Sequence, residues 1–204
     1  MLALMKQSGC QGVLIGFESL NPENLKVMNK GINLASDLYE TSLANLHRHG
    51  IRVYGTFVFG YDHDSPDSFD EAVHFAQKHG FYLAGFNHLT PFPGTPLYSR
   101  LEREGKLLFD QWWLDESYGY NMLPMKTAGM TPQAVQDHCV RARKQFYGYP
   151  SMLRRGFHPV NRTDLRMFFS FFVMNHMHRA EVSLRNQYPL GHAGWKGRLL
   201  EATS

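Results

Sequence analysis

Three observations predict an α/β architecture with three parallel strands. Short apolar runs end at turn residues: Val13-Leu14-Ile15 stops at Gly16, Ile51–Phe59 stops at Gly60, and Phe81–Leu89 runs into TPFPGTPLY. Helix starts follow the first two, Asn21-Pro22-Glu23 and Ser65-Pro66, each with a capping residue and a proline at the first helical position. The connections are too long for hairpins and suit βαβ units. Residues 1–105 therefore read α-β-α-β-α-β-α, three strands of a parallel barrel or open sheet.

Each element has its own local reason. MLALMKQSG reads as the last two turns of a helix ending at Gly9. Val13-Leu14-Ile15 is too brief for a helix and β-branched enough for a buried parallel strand. From Leu34 to Gly50, Leu34, Leu38, Leu43 and Leu46 mark a helix face and Gly50 a stop. The helix from Pro66 carries Phe69, Val73 and Phe75 and ends at Gly80. Pro91, Pro93 and Pro96 forbid continued strand or helix and fix a stiff turn, after which Leu97–Gly105 forms a short helix. Beyond it the pattern changes. DQWWLDESYGYNMLPM (110–125) is aromatic and irregular, a plug or lid; Thr131-Pro132 caps a helix to about Tyr147; a longer helix from Asn161 carries Phe168, Phe169, Phe171 and Phe172. The expected organisation is an α/β body over 1–128 and a helical, basic extension over 129–204.

The 204 residues, 43% hydrophobic and 14% aromatic, suffice for a core and exclude disorder. Net charge is +3 but uneven: residues 1–140 hold 10 Lys/Arg against 15 Asp/Glu, and 141–204 hold 11 against 3. That basic third allows an acidic partner, nucleic acid or an anionic lipid surface, or simple docking on the acidic body. Two cysteines, Cys10 and Cys139, form no spaced metal pattern and no disulfide framework, and both are expected to be buried. No signal peptide is visible, and MFFSFFVM (167–174) is far short of the roughly 20 residues that span a bilayer. The expected location is the cytoplasm.

Glu18 is the first candidate for chemistry. It falls just past the carboxyl end of the first strand, where parallel α/β sheets bind ligands. Either it favours the dipole of the helix after it, or it accepts hydrogen bonds from a ribose hydroxyl pair or an ammonium group. Asp62-His63-Asp64 suggests a metal site, but adjacent side chains diverge and Ser65-Pro66 accounts for the acids as helix-start residues. His47/His49 and His176/His178 are spaced i,i+2, which puts each pair on different helix faces. No nucleophile elbow or phosphate-cradling glycine loop is present.

Three ordered segments, GFESLNPENLKVMNKG, VYGTFVFGYDHDSPDSFDEAV and FNHLTPFPGTPLYSRLEREGKL, together resemble radical S-adenosylmethionine (SAM) enzymes, in the branch with a cobalamin-binding domain. WWLDESY and the Phe-rich helix ending in RNQYPLG are similar to that branch's tail. The resemblance implies the C-terminal half of a partial (β/α)₆ TIM-like barrel, with these strands as the fourth, fifth and sixth, followed by a helical tail. It implies that Glu18, with Ser19 beside it, approaches the ribose of SAM, and that Lys30 approaches the SAM carboxylate or ribose. It further implies that Thr56 and Val58 border ribose and adenine, and that Asn87 to Thr90 border the adenine. Thr56 stands where many relatives carry an acid. The family's Cys-x-x-x-Cys-x-x-Cys loop for a 4Fe–4S cluster is absent from this sequence.

The implied reading is a fragment, from a truncated gene or split reading frame, that binds no cluster and cleaves no SAM alone. Its expected partners are the N-terminal half of the enzyme and an unknown small-molecule or lipid substrate. Two rivals are a non-catalytic half-barrel whose exposed edge pairs with another chain, and, below it, a basic-tailed RNA binder.

Overall fold

The computed structural model describes residues 1–28 and 36–190, with backbone alone at 36–38. Eight α-helices and three strands occur among them. The order is α1 (Leu2–Gln7), β1 (Gly12–Glu18), α2 (Pro22–Val27), α3 (Ser36–Arg48), β2 (Arg52–Phe59), α4 (Pro66–Lys78), β3 (Leu83–His88) and α5 (Pro96–Arg103). After an irregular segment come α6 (Pro132–Phe146), α7 (Tyr149–Gly156), a 3₁₀ turn (Pro159–Arg162) and α8 (Leu165–Leu184). The strands form one parallel sheet in the order β1-β2-β3, so the predicted α/β class with parallel pairing holds.

Side chains alternate across a strand, and here the two faces differ sharply. One face sends out Phe17, Val53, Phe57, Phe59, Ala84 and Phe86, all buried. Phe17 stacks on Phe57, and Phe57 on Phe86, at ring separations of 5.6 and 5.5 Å. Tyr39 of α3, Phe75 of α4 and Phe146 of α6 close over this aromatic row. The other face carries Leu14, Gly16, Tyr54, Thr56, Val58, Gly85 and Asn87 and stays partly open. Leu14 is 64% exposed, so β1 is not buried on both faces as its apolar run suggests. It pairs only with β2 and lies at the sheet's edge among the described residues.

The edge of β3 is covered instead. The Tyr147 hydroxyl accepts from the Ala84 N–H (3.2 Å) and donates to the Ala84 carbonyl (2.8 Å), while Arg143 Nε donates to the Phe86 carbonyl (2.9 Å). These side chains satisfy an edge that would otherwise template pairing, so the interaction-module alternative would have to use β1.

Several boundaries move. β1 continues through Glu18 rather than stopping at Gly16, and β3 begins at Leu83. α7 is a further helix: Pro150 sits in its first turn, where a missing N–H costs nothing. The final helix starts at Leu165, not Asn161, because residues 159–162 wind into the 3₁₀ turn and Asp164 Oδ1 then accepts from the Met167 N–H at 2.9 Å. Segment 110–125 is irregular as expected, with Trp112, Tyr118, Leu123 and Met125 buried. Cys139 is buried, whereas Cys10 is only half-buried, its thiol donating to the Gly12 carbonyl.

Candidate functional site

Sequence reasoning puts Glu18 at a strand tip; the structure adds how it is aimed. Between Gly16 and Glu18 the β1–β2 register slips, Gly16 facing Thr56 and Glu18 facing Phe57. Such a bulge re-aims the side chain that follows it. Glu18 sits at φ 63°, and the Ser19 N–H closes a three-residue turn onto the Phe17 carbonyl at 2.8 Å. A left-handed backbone costs a non-glycine residue about 1–2 kcal/mol, and strain of this kind concentrates at binding sites.

The result is a carboxylate folded back over the open sheet face. A methyl group built on Gly16 would lie 2.6 Å from Oε1 of Glu18 and 3.7 Å from Oγ1 of Thr56. Glu18 and Thr56 thus converge on one point, and glycine at 16 leaves it open. The arrangement repeats on β3, the other neighbour of β2: a methyl on Gly85 would meet Asn87 Nδ2 at 3.1 Å, Thr56 Cγ2 at 3.4 Å and the Tyr54 hydroxyl at 3.7 Å. Two glycines therefore flank Thr56, and a carboxylate and an amide lean over them.

The loops around this face are tied together. Asn21 caps α2 by accepting from the Glu23 N–H and donates to the His63 carbonyl (3.0 Å). Asn24 donates to Asp64 Oδ1 (2.8 Å), whose Oδ2 accepts from the Gly60 and Tyr61 N–H groups. Asp64 is therefore a buried brace for the post-β2 loop; burial raises its pKa against the pull of these hydrogen bonds. Burial first, then the Glu18 charge, lifts the Tyr39 hydroxyl to about 12 and raises that of Tyr61, so both stay protonated beside it.

The remaining expected residues divide. Val58 pairs with Asn87 across β2 and β3 on the same face. Asn87 Oδ1 accepts from Arg143 Nη2 (3.2 Å), and Arg143 also donates to Asn121 Oδ1 (2.8 Å). Ser19 is buried, its Oγ accepting from the Asn21 N–H in the turn before α2. Thr90 lies beyond β3 with its hydroxyl 3.3 Å from His88 Nδ1. Lys30 lies outside the described residues.

A cavity of about 210 Å³ opens beside Gly85 and Asn87, bounded by Tyr54, Tyr120, Arg143 and Tyr147. Gly16, Gly85, Tyr54 and Arg143 escape sequence reasoning. The glycines had a signal, two small residues at matching strand positions, whereas Arg143 reaches Asn87 from 56 residues away and had none.

No protein-family model matches the chain. Curated relatives do. Bacteriochlorophyllide d C-12(1)-methyltransferase of Chlorobaculum tepidum is 36% identical over 177 residues, 86% of this chain and 37% of that enzyme. Hopanoid C-2 methylase of Rhodopseudomonas palustris is 31% identical over 110 residues, 54% of this chain and 21% of that enzyme. Anaerobic magnesium-protoporphyrin IX monomethyl ester cyclase of Cereibacter sphaeroides is 25% identical over 198 residues, 97% and 30% respectively. The chain spans little more than a third of the first of these and less of the others. It is a member of the radical SAM family, in the cobalamin-type branch, and aligns to a partial region of those enzymes.

Proposed function

We propose that this chain is the SAM-holding portion of a radical SAM methyltransferase, with β1, β2 and β3 as the fourth, fifth and sixth strands of a partial (β/α)₆ barrel. Residues 1–128 form that half-barrel and 129–204 an appended helical unit. The observation that carries the reading is the Glu18 carboxylate folded over Gly16 beside Thr56, on the open face of a parallel sheet.

The residues present fit the nucleoside part of SAM. Glu18 accepts hydrogen bonds from the ribose hydroxyls, and Thr56 supplies a second polar contact. Gly16 and Gly85 let the nucleoside approach the backbone. Val58 and Asn87 border the adenine, Asn87 held in orientation by Arg143. Ser19 fixes the turn that aims Glu18. Lys30 completes the set toward the carboxylate or ribose, and Thr90 lies at the adenine end.

The thiols do not fit a 4Fe–4S cluster, which needs several closely placed cysteines. Only Cys10 and Cys139 are present, and burial pushes the Cys139 thiol up to about 12. A cluster that cleaves SAM would supply the radical for hydrogen abstraction, and cobalamin would supply a carrier for the methyl group; the cluster and the cobalamin would be held by segments of the intact enzyme other than this one, while the residues here would hold SAM. The edge of β1, with Leu14 exposed beside it, is where those segments join. Methyl transfer is the reaction class carried over from the methyltransferase relatives, and the acceptor is a small molecule or lipid.

Anaerobic incubation of this chain with iron and sulfide should give no 4Fe–4S charge-transfer absorption and no SAM cleavage. Adding in trans a segment that carries the Cys-x-x-x-Cys-x-x-Cys loop and the first three strands should restore cleavage, and Glu18→Gln should abolish the restoration. Cleavage by the chain alone, or restoration indifferent to Glu18→Gln, would overturn the reading.

A further inference from the structure

α8 is apolar on more than one side, and only one side is covered. Phe171 and Asn175 face inward and are buried, whereas Phe169, Val173 and Met177 form an outward row at i,i+4 spacing. α7 runs alongside and offers a second row, Tyr149, Leu153 and Phe157. These six side chains are each 53–61% exposed. The rows belong to one face: Phe157 meets Phe168 at 5.7 Å and Phe168 meets Phe169 at 5.9 Å at one end, while Tyr149 lies 6.4 Å from His176 at the other. Between them runs an apolar groove of about 440 Å³. A helix without a polar side is normally buried, and a contiguous apolar patch rimmed by polar residues marks an interaction surface.

The charge around the face selects its occupant. Arg162, Arg166 and Arg179 are exposed on the 3₁₀ turn and α8, and Arg179 stacks over the Tyr149 ring at 4.5 Å; Arg154 of α7, also exposed, donates to Gln77 Oε1 of α4 at 2.7 Å. The two acids of this stretch are engaged: Asp164 caps α8 and Glu181 pairs with Arg185 at 2.9 Å. A second copy docked here would set one basic rim against another, which costs energy. Rings are present, but the groove between the rows is lined by apolar atoms of Met152, Leu153, Val173 and Met177 and its arginines stand at the rim, whereas a single-stranded nucleic acid requires a positively charged groove that tracks its backbone. An anionic bilayer surface satisfies both halves, taking apolar side chains at the headgroup boundary and arginines at the phosphates. No helix of the described residues is long and apolar enough to cross a membrane, so the contact would lie on the surface.

We propose that the α7–α8 face is a peripheral docking surface for anionic phospholipid bilayers. It rests on a different part of the molecule from the SAM reading and stands or falls independently.

The test is flotation of the full chain with vesicles of phosphatidylcholine, with and without phosphatidylglycerol. The expected result is binding to the mixed vesicles only, reversed by salt. Arg166→Gln and Arg179→Gln should each weaken partitioning about fivefold. Phe169→Asp with Val173→Asp should abolish it while the circular dichroism melt is retained, since both positions are exposed. No binding to anionic vesicles by folded protein, or binding unchanged by these substitutions, would overturn the proposal. So would a vesicle-independent dimer in sedimentation equilibrium that Phe169→Asp dissociates, or RNA that binds the same face in place of lipid.

Discussion

Replacing Arg155 with methionine tests how the helical layer is fastened to the sheet. Arg155 is 0% exposed and has no carboxylate partner among the described residues. Its Nη1 donates to the Phe81 carbonyl (2.8 Å) and its Nη2 to the Phe146 carbonyl and Asn175 Oδ1 (both 2.9 Å). Nε donates to Ser151 Oγ at 3.1 Å, and the guanidinium lies 3.6 Å from the Phe146 ring centre. One side chain thus joins the entry to β3, the end of α6, α7 and α8. Burial pulls its pKa down to about 9, which leaves it charged at neutral pH.

Methionine fills similar length but supplies no donor. Phe146 O ends α6, and the residue four positions on is Pro150, which has no N–H to offer. Each buried acceptor stripped of its donor costs about 1–3 kcal/mol. Two or three such groups, less the relieved cost of burying a charge, give a net loss of about 3–5 kcal/mol. That is a large share of the roughly 5–15 kcal/mol typical of a domain and lowers the melting temperature by on the order of 10 °C. Urea unfolding followed by circular dichroism reads it as a fall in midpoint at unchanged slope. Arg155→Lys should fall between, because an ammonium cannot span the same acceptors. A methionine variant within about 1 kcal/mol of the parent would refute the claim that this cation organises the layer.

Two further outcomes follow from the geometry. Gly16→Ala places a methyl 2.6 Å from Glu18 Oε1, too close for the carboxylate to stay where it is. The carboxylate can swing aside, so stability should hold or rise by about 0.4–1 kcal/mol while SAM binding is lost, measured by urea melt and calorimetric titration. The cluster of His47, His79 and His158 predicts acid sensitivity. Burial holds each imidazole below its ordinary 6.5, His47 to about 4; neighbouring imidazoles add to this at His47 and His158, while at His79 Glu40 opposes it and Lys78 adds to it. As pH falls below 6.5 the unfolded chain takes up protons first, so this stability is full above 6.5 and is lost towards pH 4. The urea midpoint should drop across that window, and His47→Gln should flatten the drop.

The parts legible in the sequence were those with local causes. Glycine and proline punctuation placed β2, α4 and α6 within a residue or two, because turns and caps are decided by neighbours. Glu18 was legible as a residue type at a strand end, but its aim was not: the bulge depends on the register against β2, and the turn on Ser19 closing to Phe17. Arg143 lies on an expected helix and Arg155 outside any, and neither drew a reading from the sequence, because only tertiary packing brings their guanidinium groups to β3 and its entry. Leu14 misled in the opposite sense. An apolar strand implies burial on both faces, yet the covering for its second face is not among the described residues. α7 was hidden because Gly148, Pro150 and Gly156 resemble loop composition, although the proline sits where a helix tolerates it.

The central claim is that the open face around Glu18 and Thr56 receives the nucleoside of SAM. Amide chemical-shift mapping of the labelled chain during a SAM titration tests it most directly, since it detects weak binding and reports where it occurs. Saturable shifts concentrated at Gly16–Ser19, Thr56–Val58 and Gly85–Asn87, absent in Glu18→Gln and absent with methionine as the titrant, are the predicted result. Shifts confined to another surface, or the same shifts in Glu18→Gln, would contradict it.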